Sequence, residues 1–415
     1  MRVIVQKYGG TSVSTVEKIR KVAEKVAATR RQGYALVVVV SAMGDSTDRL
    51  LDLARAAAPA PAPRELDMLL ATGETASAAL LGLALRALGE EAVSLSAWQL
   101  GIVTNDVHSN ARILEVRPER IRRELQRGAV VVVPGFQGMT LRQEVTTLGR
   151  SGSDTTAVAL AAALGAEGCE IYTDVEGVFS ADPRVVGSAL KLDELLAGEM
   201  QELAWHGAQV VKAEAVEFAS TNGVPVVVRS TFGDDPGTLI SPEPAAAEVF
   251  RPRRSEVAGV SGRKDLLRVT VGGTPSSELV SDELFAVVSK YDLIFGSLGG
   301  WGEPGDLFIS NQEITDPAGF AAELEARFDG AVKVAGDLGA VSLVGFGLGS
   351  RPGALLDALA VLREGRVPLV KSFTGRESLS FVVPRASVDE NVRRMHEVFV
   401  ENRGRAAWAA AQPAS

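Results

Sequence analysis

Three stretches of the sequence place phosphate- or carboxylate-binding groups at turns, and a fourth places a carboxylate within a helical stretch. Lys7-Tyr8-Gly9-Gly10-Thr11-Ser12 joins a mobile cation to two glycines. Glycines let backbone N–H groups approach phosphate oxygens, and a helix start just beyond adds a favourable dipole. The same residues would also serve a plain tight turn. They are not a Walker loop, because G-x-x-x-x-G-K-[ST] is absent there. The run Gly-Arg-Ser-Gly-Ser-Asp-Thr-Thr (149–156) offers a second anion cradle ahead of an apolar helix. Arg150 has the planar fork that grips a carboxylate through two hydrogen bonds. Read alone, the run is also an ordinary capped loop, with Ser153 or Asp154 as the cap. The third stretch, Tyr172 to Arg184, begins where a strand ends, which is where open α/β sheets bind ligands. Its alternative is a surface loop. In the fourth, Thr72-Gly73-Glu74, a carboxylate lies inside a helical stretch, either as an ammonium site or as a solvated helix charge.

Other chemistries find no footing. His108, His206 and His396 are far apart and show no metal-ligand spacing. No Ser-His-Asp arrangement is readable. Cys169 is the only cysteine, so an intramolecular disulfide and a cysteine zinc cluster are both excluded. The formal net charge of -9 argues against broad nucleic-acid or anionic-membrane binding. The start at Met1–Lys7 is too short an apolar run for a signal peptide, and no segment is expected to reach the ~20 apolar residues of a membrane span. A cytoplasmic location is therefore expected.

The elements that must position these groups follow from periodicity. The chain has 415 residues, too many for one core, and is 46% hydrophobic with only 5% aromatics. Its cores must rest on Val, Leu, Ile and Ala, which suits parallel strands covered by helices. Strands are predicted at 3–6, 35–40, 92–96, 130–133, 169–173 and 224–229. Helices are predicted between them, including 65–88, 118–126, 155–164 and one stretch over 199–222. Ser14 and Glu17 have the spacing of a capping box for the first helix. Strands alternating with helices imply an α/β fold with a mostly parallel sheet between helix layers. After Leu239 the character changes, through a Pro- and Ala-rich linker over 241–256. Two similar units follow, at 257–335 and 336–403, each with the β-α-β-β-α order of ferredoxin-like folds. The tail at 404–415 is expected to be disordered.

Taken in order, these segments resemble the aspartate kinases. The resemblance rests on Lys7-Tyr8-Gly9-Gly10-Thr11-Ser12-Val13, Val40-Ser41-Ala42-Met43-Gly44, Thr72-Gly73-Glu74, Pro134-Gly135-Phe136-Gln137-Gly138, and the 146–156 and 172–184 runs. It spans residues 1–240, and the C-terminal units are similar to the tandem ACT domains of that family. The resemblance implies an amino-acid-kinase domain over 1–240. It implies ATP- and Mg²⁺-dependent phosphorylation of the L-aspartate side chain by direct in-line transfer, the first step toward lysine, threonine and methionine. Lys7, Arg150 and Asp154 would be catalytic. Ser41, Thr47, Glu74, Arg150 and Ser153 would hold aspartate, with Glu74 on its ammonium group. Lys7, Tyr8, Gly9, Gly10, Thr173, Asp174, Phe179, Asp182, Arg184 and Gln209 would line the nucleotide site, and no protein metal cage is implied. An amino-acid effector at the ACT-like units and a homo-oligomer paired through them are also implied. Gln209 stands where the family commonly has Lys, which implies one charge fewer at the nucleotide. The segment 273–278, with Pro368 and Val370, departs from the usual effector loops, which implies weakened inhibition by lysine plus threonine.

Overall fold

A computed structural model describes residues 1–149, 152–208, 210–242, 256–272, 283–284, 287–288, 293–297, 305–312, 314, 316–328 and 331–402. Arg150, Gln209, most of the 241–256 linker, the 273–278 loop and the 404–415 tail lie outside the described residues. The chain forms two compact units whose segments alternate along the sequence. The first comprises Met1–Val178, Lys191–Gln201 and Gln209–Phe250. The second comprises Phe179–Leu190, Glu202–Ala208 and Arg251–Ser415.

The first unit begins with β1 (Val3–Tyr8), α1 (Val16–Arg31), β2 (Ala35–Val40), α2 (Ser46–Ala57) and α3 (Pro63–Ala87). It continues through β3 (Ala92–Ser94), α4 (Ala97–Leu100), β4 (Ile102–Thr104), β5 (Ile113–Val116), α5 (Glu119–Gln126) and β6 (Val130–Pro134). Next come β7 (Gln137–Thr140), β8 (Val145–Thr147), α6 (Gly152–Leu164), β9 (Gly168–Thr173) and β10 (Glu194–Leu196). The helices α7 (Ala197–Trp205) and α8 (Ala213–Thr221) then lead to β11 (Val226–Ser230) and β12 (Thr238–Ser241). Eight strands form the main sheet in the order β10-β12-β11-β9-β1-β2-β6-β3. All its pairs are parallel except β11 with β12. β2 and β6 are nearly unbroken valine, and Val37–Val40 and Val130–Val133 are fully buried, as strands covered on both faces must be. Leu36, Val38, Val40, Val130 and Val132 pack on Ile19, Val22, Leu81 and Leu85 of α1 and α3. The expected parallel sheet between helices is what forms. A second, four-stranded sheet, β5-β4-β7-β8, was not foreseen.

Two local expectations are corrected. The cap of α1 is Thr15, whose side chain accepts the Lys18 N–H, while Ser14 Oγ donates back to the Thr11 carbonyl. The helix foreseen over 199–222 is two helices. It breaks at Gly207, where φ is +120° and a Cβ would lie 2.7 Å from the Gly262 carbonyl oxygen. In addition, α3 is long and apolar enough, by length and composition, to cross a membrane. In this chain it packs on α1 and carries the buried carboxyls Asp67 and Glu74, as a core helix does.

The second unit holds β13 (Gly259–Val271), β14 (Leu293–Ser297), β15 (Gly305–Ser310), α9 (Pro317–Arg327) and β16 (Val332–Val344). It continues with α10 (Pro352–Glu364), β17 (Lys371–Thr374), β18 (Ser378–Pro384) and α11 (Val388–His396), which runs on into a π-helical turn at Glu397–Asn402. Its sheet is antiparallel throughout, in the order β14-β15-β13-β16-β18-β17. The long strands β13 and β16 pair at its centre. Ala181 and Val186, from the Phe179–Leu190 segment, are buried in its core with Val260, Val341, Phe381 and Met395.

Candidate active site

The register of the main sheet sets the site. Tyr8 of β1 lies abreast of Val40 of β2 on one side and Tyr172 of β9 on the other. Val40 pairs in turn with Pro134 of β6. β1, β2 and β6 therefore end on one rung and β9 one residue beyond it, so Gly9, Ser41 and Gly135 leave the sheet beside Thr173, which still pairs with Ser230 of β11. The chain winds from β1 toward β2, while β9 lies on the opposite side, so these turns open at a topological switch point. Backbone hydrogen bonds tie them. Gly9 N–H donates to the Tyr172 carbonyl (3.2 Å), Ser41 N–H to that of Tyr8 (3.1 Å) and Gly135 N–H to that of Val40 (2.9 Å). Gly10 has to be glycine, since a Cβ would lie 2.9 Å from the Ala42 carbonyl oxygen.

The charged groups gather on this frame. Lys7 Nζ lies 2.5 Å from Asp154 Oδ1, and both side chains are largely buried. Asp154 and Ser153 stand in the first turn of α6, where the helix dipole favours negative charge. Glu74 of α3 is 4% exposed. Its Oε1 accepts the Ala42 N–H at 3.2 Å, while Oε2 is buried with no hydrogen-bond partner among the described residues. Burial pushes its carboxyl up to about 7, against the pull of that backbone hydrogen bond. A buried carboxylate oxygen with no donor is poised for a cation such as an ammonium group. The solvated-charge alternative for Glu74 is thereby removed.

The other expected residues divide. Ser41 is half-buried beside Ala42, and Thr47 is half-buried in the first turn of α2. The Tyr8 ring faces the core, stacked on Tyr172 with centroids 4.6 Å apart, so only its backbone borders the turn. Thr173 Oγ1 donates to Asp174 Oδ1 at 3.0 Å, and Asp174 is exposed. Phe179, Asp182 and Arg184 belong to the second unit, where Arg184 and Asp182 form an ion pair at 2.7 Å. Arg150 and Gln209 lie outside the described residues.

Two residues near the site were not foreseen. Lys18 of α1 donates from Nζ to the Thr11 carbonyl at 2.8 Å, adding a cation beside the glycine turn. Asp67 of α3 is wholly buried and accepts from Thr147 Oγ1 at 2.7 Å. Its signal in the sequence is a lone carboxyl among Leu66, Met68, Leu69 and Leu70, seven residues before Glu74.

A Lys–Asp pair, a buried carboxyl with an open oxygen and glycine turns are thus brought together at the ends of parallel strands. Residues 2–230 match the model of the amino acid kinase family. The chain is 40% identical over 409 residues to the aspartokinase of Corynebacterium efficiens, covering 96% of each protein. It is 41% identical over 406 residues to aspartokinase 2 of Bacillus subtilis, covering 96% of this chain and 98% of that one. Its fold matches a crystal structure of E. coli aspartokinase III with a TM-score of 0.81 at 24% identity, covering 95% of this chain and 99% of that one. The chain belongs to the aspartokinase family of amino acid kinases.

Proposed function

We propose that this chain transfers the γ-phosphoryl group of ATP to the side-chain carboxylate of L-aspartate, giving 4-phospho-L-aspartate. The observation that carries the reading is the Lys7–Asp154 pair at the strand ends, with Glu74 opening an unpartnered oxygen on the neighbouring turn. A carboxylate of reference pKa ~4 is ionised at neutral pH, so the nucleophile needs no general base. What remains is to align two anions and offset their repulsion. Lys7 neutralises charge on the moving phosphoryl group, and Asp154 holds the ammonium of Lys7 in place. Glu74 takes the substrate's ammonium, with Ser41, Thr47 and Ser153 around it and Arg150 on a carboxylate. Gly9 and Gly10 leave room for the phosphates to approach the backbone. Phe179, Asp182, Arg184 and Gln209 complete the nucleotide site in this reading.

Among the described residues, no cluster of three His, Cys, Asp or Glu side chains stands ready for a metal. Mg²⁺ would be held mainly by the phosphates and water, as is usual for nucleotide-borne Mg²⁺, with Asp174 as an exposed oxygen donor at the end of β9. Bound there, it would neutralise phosphate charge. We extend the reading to an effector at the ACT-like units and to a homo-oligomer paired through them, which sedimentation with and without lysine and threonine would test. The catalytic reading is tested with ATP, Mg²⁺ and L-aspartate, trapping the acyl phosphate with hydroxylamine. Wild-type protein should give hydroxamate and Lys7→Ala about a thousandfold less, the scale for removing a charge that stabilises a transition state. Equal yields from both proteins would sink it.

A further inference from the structure

The geometry points to Asp67 as a positioning residue that sets the entry of the substrate loop. Asp67 is fully buried, and among the described residues its hydrogen-bonding partners include no lysine or arginine. Burying a carboxylate is costly unless donors surround it. Here both oxygens are engaged. Oδ1 accepts Thr147 Oγ1 at 2.7 Å and Oδ2 accepts Thr147 N–H at 3.2 Å. Ser109 N–H lies 3.0 Å from each oxygen, and His108 Nδ1 lies 2.8 Å from Oδ2.

Each partner bears on the same stretch of chain. Thr147 closes β8 and enters the 149–156 run that carries Arg150, Ser153 and Asp154. Ser109 has φ +68°, a conformation that L side chains rarely adopt and that a held N–H can maintain. The loop it belongs to braces the run from the other side. Gly149 has φ +74°, and a Cβ there would come 2.9 Å from Asn110 Oδ1. The Ala111 N–H also donates to the Thr147 carbonyl at 2.8 Å.

The helix supplies the ruler. Asp67, Ala71 and Glu74 fall on one face at the i, i+4, i+7 spacing. The Ala71 carbonyl accepts Gln137 Nε2 at 3.0 Å, and Glu74 accepts Ala42 N–H at 3.2 Å. One rigid face of α3 therefore fixes the Thr147 entry, β7 and the turn after β2. Ser153 at one end of the proposed aspartate grip and Glu74 with Ser41 at the other are spaced by that face. A helix holds its residues apart at about 1.5 Å per residue, which a loop cannot do. This assignment rests on the reading of the 149–156 run as part of the aspartate grip.

The test is steady-state kinetics on the full chain. In Asp67→Asn an amide N–H₂ replaces one accepting oxygen and faces donors. The expected result is an aspartate KM about tenfold higher and a lower kcat, because the same run carries Asp154, with the ATP KM within about threefold. Thr147→Val removes one donor while keeping the shape. It should raise the aspartate KM in the same direction, and adding it to Asp67→Asn should cost less than the two separate effects combined. Ser109→Gly accepts the positive φ at no steric cost, so it should recover part of the loss in Asp67→Asn. A folded Asp67→Asn enzyme with unchanged aspartate KM, or with both KM values raised together, would overturn the assignment. So would an unchanged aspartate KM in Thr147→Val if Asp67→Asn does not fold. If the wild-type chain makes no hydroxamate, the aspartate reading itself fails, a result distinct from any of these.

Discussion

At the scale of the residue, Glu74 concentrates most of the chemistry that can be read from one side chain. Its carboxyl is pushed up to about 7 by burial, and one oxygen has no donor. Only the ionised form can hold the substrate's ammonium group. Between pH 8 and pH 6 the ionised fraction of a group titrating near 7 falls by roughly tenfold. The aspartate KM should therefore rise by about that factor as pH falls across this window, while the ATP KM stays level. In Glu74→Gln the aspartate KM should be high at every pH and its slope absent, which separates this group from any titration of the substrate. The stability linkage has the opposite sign. A carboxyl whose folded pKa is raised stabilises the fold fully below the unfolded value of 4.5 and loses that contribution as pH rises through about 7. In the proposed site, the ammonium group of aspartate is the missing partner of the ionised form. It should therefore raise the melting temperature more at pH 8 than at pH 6. A flat aspartate KM between pH 6 and 8 would remove Glu74 from the ammonium site.

At the scale of the element, the site depends on where α6 begins. Gly135 follows β6, and a Cβ there would lie 2.6 Å from Ser153 Oγ and 2.9 Å from Ser153 Cα. The second of these is backbone and cannot swing aside. Gly135→Ala must then displace the first turn of α6, carrying Asp154 away from Lys7. The expected outcome is a stability loss of about 1–3 kcal/mol by urea titration. A fall in kcat of at least about tenfold should accompany it, as misplacement of a catalytic group predicts. Unchanged kcat would show that the Lys7–Asp154 pair tolerates movement. Elements of this kind were legible in the sequence where one physical rule dominates. The valine runs of β2 and β6 announce strands buried on both faces, and the glycine turns announce the strand ends. The small sheet β5-β4-β7-β8 was not legible, because its strands are short and mix polar with apolar residues. Asp67 was missed for a related reason. A charge in an apolar helix has meaning only through partners, and Ser109 and Thr147 are about forty and eighty residues away in sequence.

At the scale of the whole molecule, the two compact units are not two consecutive lengths of chain. Motifs run continuously to residue 240, and the composition changes after Leu239, so a sequence reading places the boundary there. Yet Phe179–Leu190 and Glu202–Ala208 belong to the second unit. Ser180 shows how firmly. Its Oγ bonds His396 Nε2 at 2.8 Å, and its carbonyl accepts the Val260 N–H at 2.7 Å. Arg393 Nε donates to the Val185 carbonyl at 2.9 Å, while Ala181 and Val186 are buried against Val260, Val341 and Met395. A fragment ending at residue 240 loses every one of those partners. It exposes apolar side chains at 181 and 186 and leaves the 179–190 segment, with its candidate nucleotide residues Phe179, Asp182 and Arg184, without its core. Fragment 1–240 should therefore aggregate or melt without cooperativity, and its hydroxamate yield should fall below about one hundredth of the full chain's, since a misplaced binding segment costs on that scale. Mixing in fragment 241–415 should recover part of the activity, because it returns the buried faces for that segment. A monomeric, cooperatively melting fragment 1–240 with full ATP affinity would show that the segment needs nothing beyond residue 240.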